Sequence, residues 1–295
     1  MNFPKIILLS FLVLLSGCSA VAQYEYVNQE PPKLEPQVFA PGVISLANEY
    51  EFGSVFNQDG TEFFYGVTIN GKAQIRYSKR VGQTWTVPKV ILDHPVYGYN
   101  DPFLSPDEKR LYFISKRAID GNGPPKDHDI WYVERTSSTW SEPINAGVNI
   151  NSSGNEYYIS FTNDGSMYFA TNGLGDNHDI YKSPFVNGTF QKAIKLPKTI
   201  NTGAYEADVF VAPDESYLIF CTTRRSGQGR GDLYISFKNN DGNWSQAKNM
   251  GDAINTKSHE LCPFVTADGK YFFYTSNKDI YWVSTAIFEG LRNKE

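Results

Sequence analysis

The sequence predicts an all-β fold, namely a five-bladed β-propeller whose blades are four-stranded antiparallel sheets. Two observations support this prediction. Aromatic residues make up 15% of the 295 residues and charged residues only 20%, and 24 Gly and 16 Pro punctuate the chain. Such a composition is typical of short strands joined by turns. In addition, one sequence pattern recurs five times along the chain, which indicates a repeat architecture.

The first seventeen residues have the pattern of a secretory signal peptide. Lys5 precedes an apolar run from Ile6 to Leu15, which is too short to cross a bilayer of about 30 Å as a helix. The run ends in Leu15-Ser16-Gly17-Cys18, which resembles the bacterial lipoprotein motif that is cleaved before its cysteine and acylated on it. This resemblance implies that residues 1–17 are removed and that lipid on Cys18 is the only membrane attachment.

The segment after Cys18 is predicted to be a tether. Residues 18–35 are largely polar and contain two prolines, as expected for a linker, and residues 36–295 form the predicted propeller domain. Ser19 after the cysteine matches the sorting pattern of outer-membrane lipoproteins, so the predicted location is the outer membrane, facing the periplasm. The alternative is an ordinary secreted protein in which Cys18 is lost or remains free.

The repeat pattern consists of a short apolar strand, an Asp-Gly or Asp-Glu turn, an aromatic strand and a third strand, which starts with Asp-Ile or Asp-Leu in four of the five units. In four units a phrase marked by Trp or Phe follows. The aspartates that anchor the turns are Asp59, Asp107, Asp164, Asp214 and Asp268. An Asp-Gly pair between two strands favours a tight hairpin. One unit is therefore interpreted as four antiparallel strands, which is one propeller blade.

The fifth unit lacks the last strand of the pattern, and the N-terminal segment from Val38 to Ser45 contains a matching phrase. We expect this segment to complete the last blade and close the ring, which leaves no open sheet edge. Six blades is the alternative if residues 24–50 form more than this strand. The whole pattern resembles the WD40-like propeller repeats of the TolB type, which implies the fold but leaves the function open.

Two positions in each unit are candidates for binding a ligand. They lie eight and six residues before the anchoring aspartate, where the innermost strand begins, so we expect them to circle one mouth of the central channel. Carboxylates at such a mouth can bind a cation, a basic peptide or sugar hydroxyls. The predicted ligand-binding residues at or beside these positions are Glu51, Tyr99, Asp101, Glu156, Glu206, Asp208, His259 and Glu260.

A structural role competes with this interpretation for the glutamates. Arg117, Arg224 and Lys278 each follow the anchoring aspartate by ten residues, and each could neutralise a glutamate of the same face. Because the glutamate recurs in four of the five units, a structural role is the better explanation of it. The residues that depart from the repeat, among them Asp101 and Asp208, are the better functional candidates.

The sequence contains no complete catalytic, metal-binding or cofactor motif, so we expect no metal and no cofactor. His128 and His178 are interpreted as loop residues. The net charge of −5 argues against a nucleic-acid partner, since phosphate binding requires a basic surface. For Cys221 and Cys262, a disulfide and two buried free thiols both remain open.

The predicted function is therefore that of a lipid-anchored binding or scaffolding module of the cell envelope, whose partner is a protein or a glycan. The alternative is a carbohydrate-active enzyme, a glycosidase or a polysaccharide lyase. In that case Asp101, Glu156 and Glu206 would act as the catalytic carboxylates. The sequence favours the non-catalytic interpretation because no catalytic set is complete.

Overall fold

The computed structural model describes residues 26–137, 139–175 and 177–292. Within these ranges the chain forms five blades of antiparallel strands, so the five-bladed prediction is confirmed and the six-bladed alternative is wrong. The predicted signal peptide, Cys18 and the first part of the predicted tether lie outside the described residues.

The strands are numbered in chain order. Apart from β1, the strands of each blade follow one another along the chain. The closing strand is β1, Gln37–Val38. The bounds in blade 1 are β2 Tyr50–Phe56, β3 Glu62–Ile69, β4 Lys72–Val81, β5 Thr84–Trp85 and β6 Lys89–Leu92. Those in blade 2 are β7 Asn100–Leu104, β8 Arg110–Ser115, β9 Asp129–Glu134 and β10 Ile144–Asn145. In blade 3 they are β11 Glu156–Phe161, β12 Met167–Thr171, β13 Asp179–Ser183, β14 Phe185–Val186, β15 Thr189–Phe190 and β16 Ile194–Lys195. Blades 4 and 5 comprise β17 Glu206–Val211, β18 Tyr217–Thr222, β19 Asp232–Phe237, β20 Lys248–Asn249, β21 Leu261–Val265, β22 Tyr271–Ser276 and β23 Asp279–Ser284.

In every blade the first strand of the repeat is innermost and the following strands pack outwards in order. Strands β14 and β15 form a separate two-stranded hairpin between the third and the outer strand of blade 3. Blade 5 takes its outer strand from the other end of the chain, because β1 pairs antiparallel with β23 through Gln37 opposite Trp282 and Val38 opposite Tyr281. The predicted closure by the N-terminal segment is thereby confirmed.

The residues around β1 pack firmly on the propeller. Phe39 is fully buried and Tyr26 is 2% exposed. The ring of Tyr26 lies 5.4 Å from that of Phe56 in blade 1 and 5.2 Å from that of Trp282 in blade 5. Burial of such aromatic side chains stabilises a fold by several kcal/mol in total. From residue 26 onward, the segment that we expected to be a free tether is therefore part of the seam between the first and last blades.

In blades 2 and 4, a side chain of the tight turn after the inner strand contacts the preceding blade. In blades 1, 3 and 5 the left-handed position of the turn is a glycine, whereas in blades 2 and 4 it is Glu108 and Glu215, both with φ of 57°. Left-handed backbone is unfavourable for a residue with a Cβ. Glu108 Oε1 accepts a hydrogen bond from the Gln58 backbone N–H at 2.6 Å. Each of these glutamates therefore occupies a strained position from which its side chain reaches another element.

The contacts of Glu215 are the more extensive. Its carboxylate accepts hydrogen bonds from the Tyr168 hydroxyl at 2.5 Å, from Lys182 and from Lys238 at 2.5 Å. Tyr168 and Lys182 belong to blade 3, so the side chain clamps blade 3 to blade 4. These donors lower the pKa of Glu215 to about 2, although burial opposes the effect.

The described part of the chain ends in a 3₁₀ turn, Thr285–Phe288, and a short helix, Glu289–Arg292, which the sequence did not lead us to expect. The ring of Phe288 packs on Tyr217 of blade 4 and on Phe272 of blade 5, with centroids 5.7 Å and 5.4 Å apart. This turn therefore covers the junction of these two blades. Neither helical segment in the described part of the chain has the length and apolar character needed to span a bilayer.

Candidate functional site

All five inner strands are bent at the same place. The register of each inner strand against its second strand shifts by a bulge, and the residue six before the anchoring aspartate has φ between 46° and 57°. The five bulge residues are Gly53, Asp101, Tyr158, Asp208 and Cys262. Only one is glycine, although this backbone region is costly for other residues. Strained backbone of this kind is often found at functional sites.

The bulges meet in the channel and close it. The Tyr158 hydroxyl donates a hydrogen bond to the Pro263 carbonyl oxygen at 2.9 Å. These residues lie in blades 3 and 5, which are not neighbours, so the Tyr158 side chain crosses the channel. Gly53 allows Asp101 to approach closely, because a Cβ at this position would lie 3.1 Å from the Asp101 Cα and Oδ1 atoms.

We call the end of the channel at which the inner strands begin the upper mouth. The space between this mouth and the Tyr158 side chain is called the cup. Beyond Tyr158, towards the other end, the channel is lined by apolar side chains that include Phe103, Phe210 and Phe264, which are at most 8% exposed. The residues that form the cup are Tyr50, Asp101, Tyr157, Tyr158, Tyr205, Asp208 and Cys262.

Two carboxylates of the cup share Cys262 as their donor. Asp101 Oδ1 accepts from the Cys262 thiol at 3.4 Å, and Asp208 Oδ2 accepts from the Cys262 backbone N–H at 3.3 Å. Both aspartates are half-buried. Among the described residues, the other oxygen of each has no hydrogen-bond donor, and neither aspartate has a Lys, Arg or His nitrogen within ion-pair distance. The described part of the protein thus supplies only one hydrogen-bond donor to each of the two carboxylates.

The surroundings of the two aspartates favour their protonated forms. Burial, and secondly the charge of Asp208, raise the pKa of Asp101 to about 7, while the Cys262 thiol opposes this. Burial also raises the pKa of Asp208, against the opposing effects of His259 and the Cys262 N–H. Removal of a carboxylate from water disfavours its charge, and a second carboxylate nearby adds repulsion. The pair therefore holds a proton near neutral pH.

Three half-buried tyrosines form the wall of the cup. Burial above all raises the pKa of Tyr50, Tyr157 and Tyr205, and the charges of Asp101 and Asp208 raise the pKa of each further. The three phenols are therefore within electrostatic range of both carboxylates and stay neutral. An aromatic wall around negative charge is suited to a ligand that is cationic or carries polarised C–H groups.

Histidine rings continue this wall around part of the upper mouth. The ring centroids of His128 and Tyr157 are 5.1 Å apart, those of Tyr157 and His178 are 5.5 Å apart, and those of His178 and Tyr205 are 4.7 Å apart. Burial lowers the pKa of both histidines. His128 and His178, which we interpreted as plain loop residues, thus belong to an aromatic arc beside the cup. The sequence feature that could have indicated this role is their position directly before a third strand, which starts at the upper mouth.

His259 lies close enough to Asp208 for its charge to act on the pKa of that carboxyl. Its Nε2 atom lies 3.4 Å from the Cys221 sulfur. Gly231 in blade 4 occupies the place that corresponds to His128 in blade 2 and His178 in blade 3, and a Cβ there would lie 2.6 Å from the His259 ring. The absence of a side chain at Gly231 therefore lets the His259 imidazole occupy this space.

The four predicted glutamates do not face the channel. Glu51, Glu156, Glu206 and Glu260 are all fully buried. Each accepts a backbone N–H from the loop that precedes its strand, with donors Leu46, Ser152, Thr202 and Thr256 at 3.0 to 3.2 Å. Second-strand hydroxyls also donate to three of them, namely Thr171, Thr222 and Ser276 at 2.8, 3.2 and 2.7 Å. Their carboxylates fasten loops to blades, which corrects our expectation that they line the mouth.

Tyr99 takes the glutamate position in blade 2 and is also buried, at 3% exposure. The Arg117 guanidinium donates to its hydroxyl at 3.3 Å. In blade 4 the equivalent Arg224 pairs with Glu206 at 3.3 Å. Of the predicted ligand-binding residues, the structure therefore brings Asp101 and Asp208 into the cup and His259 to its edge, and it buries Tyr99 and the four glutamates inside the blades.

Metal binding and cysteine chemistry are two further possibilities at this site. Within the described part of the chain, no three His, Cys, Asp or Glu side chains are grouped so that they could hold a metal ion. Cys221 and Cys262 are both buried and both free, so of the two possibilities left open by the sequence, the structure has free thiols. Burial raises the pKa of both thiols well above its usual value, which leaves them protonated and poorly nucleophilic.

Comparison with known proteins relates this architecture to solved structures at low sequence identity. TolB from Acinetobacter baumannii aligns with a TM-score of 0.53 and 15% identity, over 82% of this chain and 56% of that one. A putative TolB from Agrobacterium tumefaciens gives 0.50 and 15%, over 79% and 72%. A thermostable family-43 glycoside hydrolase gives 0.51 and 13%, over 80% and 89%.

The chain thus spans only 56% of the length of the A. baumannii TolB structure. No family model matches the chain, and no curated protein matches it. At such identities structural likeness establishes the fold alone. The predicted resemblance to TolB-type propellers is confirmed at the level of the fold: the chain is a five-bladed β-propeller similar in architecture to TolB structures.

Proposed function

We propose that this protein is a binding module whose ligand enters the cup from the upper mouth. The observation that carries the proposal is the state of Asp101 and Asp208. Within the described part of the chain, each keeps one carboxylate oxygen without a donor, in a channel closed by Tyr158. Incompletely satisfied polar groups in a concave site surrounded by aromatic rings are typical of ligand-binding pockets. Glu206 and Glu260 differ, since both carboxylate oxygens of each accept hydrogen bonds within the protein.

We further propose that the module works at the cell envelope on a lipid anchor. The support is the sequence Leu15-Ser16-Gly17-Cys18 after an apolar run. In this proposal residues 1–17 are removed, Cys18 is acylated, and the propeller of residues 36–295 faces the periplasm from the outer membrane. Labelling of the expressed chain with an alkyne-tagged fatty acid tests the anchor. Incorporation that is lost in Cys18→Ala supports it, and equal labelling of both chains contradicts it.

The proposed partner is an envelope protein or a glycan that covers the upper mouth. Affinity capture from envelope extracts and binding to a glycan array test this proposal. Each is carried out with the wild-type propeller, with the double variant Asp101→Asn/Asp208→Asn and with Tyr157→Ala, a variant of the upper mouth. Capture by the wild type that weakens in Tyr157→Ala supports the proposal. Asp241→Asn is the matched control, since Asp241 lies exposed in a turn of the outer hairpin of blade 4. Equal capture by all variants would place the partner elsewhere on the propeller.

A carbohydrate-active enzyme remains the second candidate, and one observation favours it. Two carboxylates lie together and the pKa of Asp101 is raised to about 7, which suits a general acid. The residues differ from those expected from sequence, because Glu156 and Glu206 are fully buried. Release of reducing ends from envelope polysaccharides, abolished in Asp101→Asn and retained in Asp241→Asn, would establish this activity. Absence of turnover on every polysaccharide that the propeller binds would exclude it for those ligands.

A further inference from the structure

We infer that the cup binds an organic cation, specifically a primary ammonium group that the partner presents to Asp101 and Asp208. This inference rests on the proposed function, because it names the chemical class that the binding site recognises. It is argued from the donors that the carboxylates lack, the rings that surround them and the charges that face them.

Asp101 and Asp208 have few hydrogen-bond donors compared with the buried carboxylate of Glu206. Glu206 accepts from the Thr202 backbone and hydroxyl, from Thr222 and from Arg224. Among the described residues, Asp101 accepts only from the Cys262 thiol at 3.4 Å, and Asp208 only from the Cys262 backbone N–H at 3.3 Å. A carboxylate removed from bulk water is stable only when donors replace the water. A primary ammonium group brings three donors and a positive charge.

Aromatic rings lie near the two carboxylates. Tyr50, Tyr157 and Tyr205 are close enough for the charges of Asp101 and Asp208 to raise their pKa, and the face of an aromatic ring attracts a cation. This attraction is larger where water is excluded, and the Tyr158 side chain closes the cup from below. A neutral ligand would gain packing with the rings but would leave both carboxylates uncompensated. An anion would be repelled by them. Carboxylates and rings therefore favour the same ligand class.

Other charged groups lie near the cup besides the two aspartates. No basic side chain in the described part of the chain pairs with either aspartate within 4 Å, although the charge of His259 acts on Asp208 and that of Arg230 acts on Tyr50. Arg230 itself is exposed, so its charge is screened by water. The titratable groups that face the aspartate pair are Cys221, Cys262, His259, Tyr50, Tyr157, Tyr158 and Tyr205.

Binding of an ammonium group is expected to expel the proton held by the pair. The fraction of molecules competent to bind is then the fraction in which both aspartates are charged, and the apparent dissociation constant is divided by that fraction. With the pKa of Asp101 at about 7, the charged fraction increases about tenfold between pH 6 and pH 8. The affinity for an amine that stays protonated over this range therefore increases about tenfold as well.

The test is a calorimetric titration of the propeller with n-butylammonium chloride at pH 6 and pH 8, with 1-butanol as the neutral probe of equal length. We expect saturable binding of the amine, about tenfold tighter at pH 8, release of a proton measured in buffers of different ionisation enthalpy, and no saturable binding of the alcohol. Asp101→Asn and Asp208→Asn should each lose at least tenfold, whereas Asp241→Asn should bind like the wild type. Absence of saturable amine binding, or equal binding by the Asn variants, would overturn the inference.

Misfolding of a variant, failure of the ammonium inference and failure of the proposed partner class give different results. Asp101→Asn removes a carboxylate that the cup destabilises, so the variant should melt no lower than the wild type at pH 8. If an envelope partner is captured through the upper mouth but the Asp101→Asn/Asp208→Asn variant captures it equally, the ammonium inference is wrong and the binding function stands. If the amine binds as expected and no partner is captured from extracts or arrays, the cup is a cation site and the proposed partner class is wrong.

Discussion

The hydroxyl of Tyr158 reaches across the channel from blade 3 and donates a 2.9 Å hydrogen bond to the carbonyl oxygen of Pro263 in blade 5. A single side chain thus connects two blades that share no edge and divides the channel into a polar and an apolar half. Because Tyr158 is 1% exposed, this bond is shielded from water and its donor cannot be replaced by solvent.

Removal of this hydroxyl should destabilise the propeller. Tyr158→Phe leaves the buried Pro263 carbonyl without its donor, and we expect a loss of about 1–2 kcal/mol in the free energy of unfolding. Urea unfolding followed by tryptophan fluorescence measures the change. Tyr281→Phe is the control, since that half-buried ring has no hydroxyl partner within the described chain and should change stability by less than about 0.5 kcal/mol. Equal effects of the two substitutions would contradict the role given to Tyr158.

The pH dependence of stability should reveal the aspartate pair. The pKa of Asp101 is raised to about 7 in the folded protein, so the folded state binds its proton more tightly than the unfolded chain does. Its contribution to stability is complete below about pH 4 and declines as the pH rises to about 7. Thermal melts of the wild type should show this decline, and Asp101→Asn should reduce it and melt at least about 2 °C higher at pH 8. A variant with the wild-type pH profile would show that Asp101 does not titrate in this range.

The clamp between blades 3 and 4 should contribute stability with the opposite pH dependence. The pKa of Glu215 is lowered to about 2, so its contribution is present above about pH 4.5 and is lost as the pH falls towards 2. Glu215→Gln should cost about 2–3 kcal/mol at pH 7 and should lose stability less steeply on acidification. Chemical unfolding at pH 7 and pH 3 checks both effects. Glu35→Gln, at an exposed position, should match the wild type at both values.

The seam between the first and last blades should be sensitive to loss of its aromatic packing. Phe39 is fully buried and its ring contacts Phe63 of blade 1 and Phe273 of blade 5, with centroids 5.3 and 5.0 Å apart. Phe39→Ala should cost about 3–5 kcal/mol, measured as a shift in the urea midpoint. Phe185→Ala, in the half-exposed hairpin of blade 3, should cost much less. A small effect at Phe39 would mean that ring closure does not depend on this side chain.

The fold could be predicted from the sequence because its determinants are local and repeated. Each Asp-Gly or Asp-Glu turn marks a hairpin, and the missing strand of the fifth unit matches a phrase near Val38. Packing of Tyr26 and of the terminal turn around Phe288 was not predicted, since each depends on one aromatic side chain outside the repeats. Such a residue has no counterpart in other units against which a pattern could be recognised.

The candidate site was predicted only in part, and the reason is the bulge in each inner strand. In a regular strand, residues two apart point to the same face, so Glu206 and Asp208 would share their surroundings. The left-handed residue breaks this alternation, which leaves Glu206 buried among loop donors while Asp208 lies in the cup. Gly53 hints at such a bulge, but Tyr158 and Cys262 disfavour the conformation that they adopt. Only tertiary packing explains why they tolerate it.

The pairing of Gln37 with Trp282 has a consequence for how the chain reaches its final form. Strand β1 is synthesised before all the other described strands, whereas its partner β23 is synthesised after them. Until β23 has been made, the apolar side chains around β1 lack the sheet against which they pack. Formation of contacts between such distant residues is slow because a long loop must close. We therefore expect the pairing of β1 with β23 to be a late step of folding.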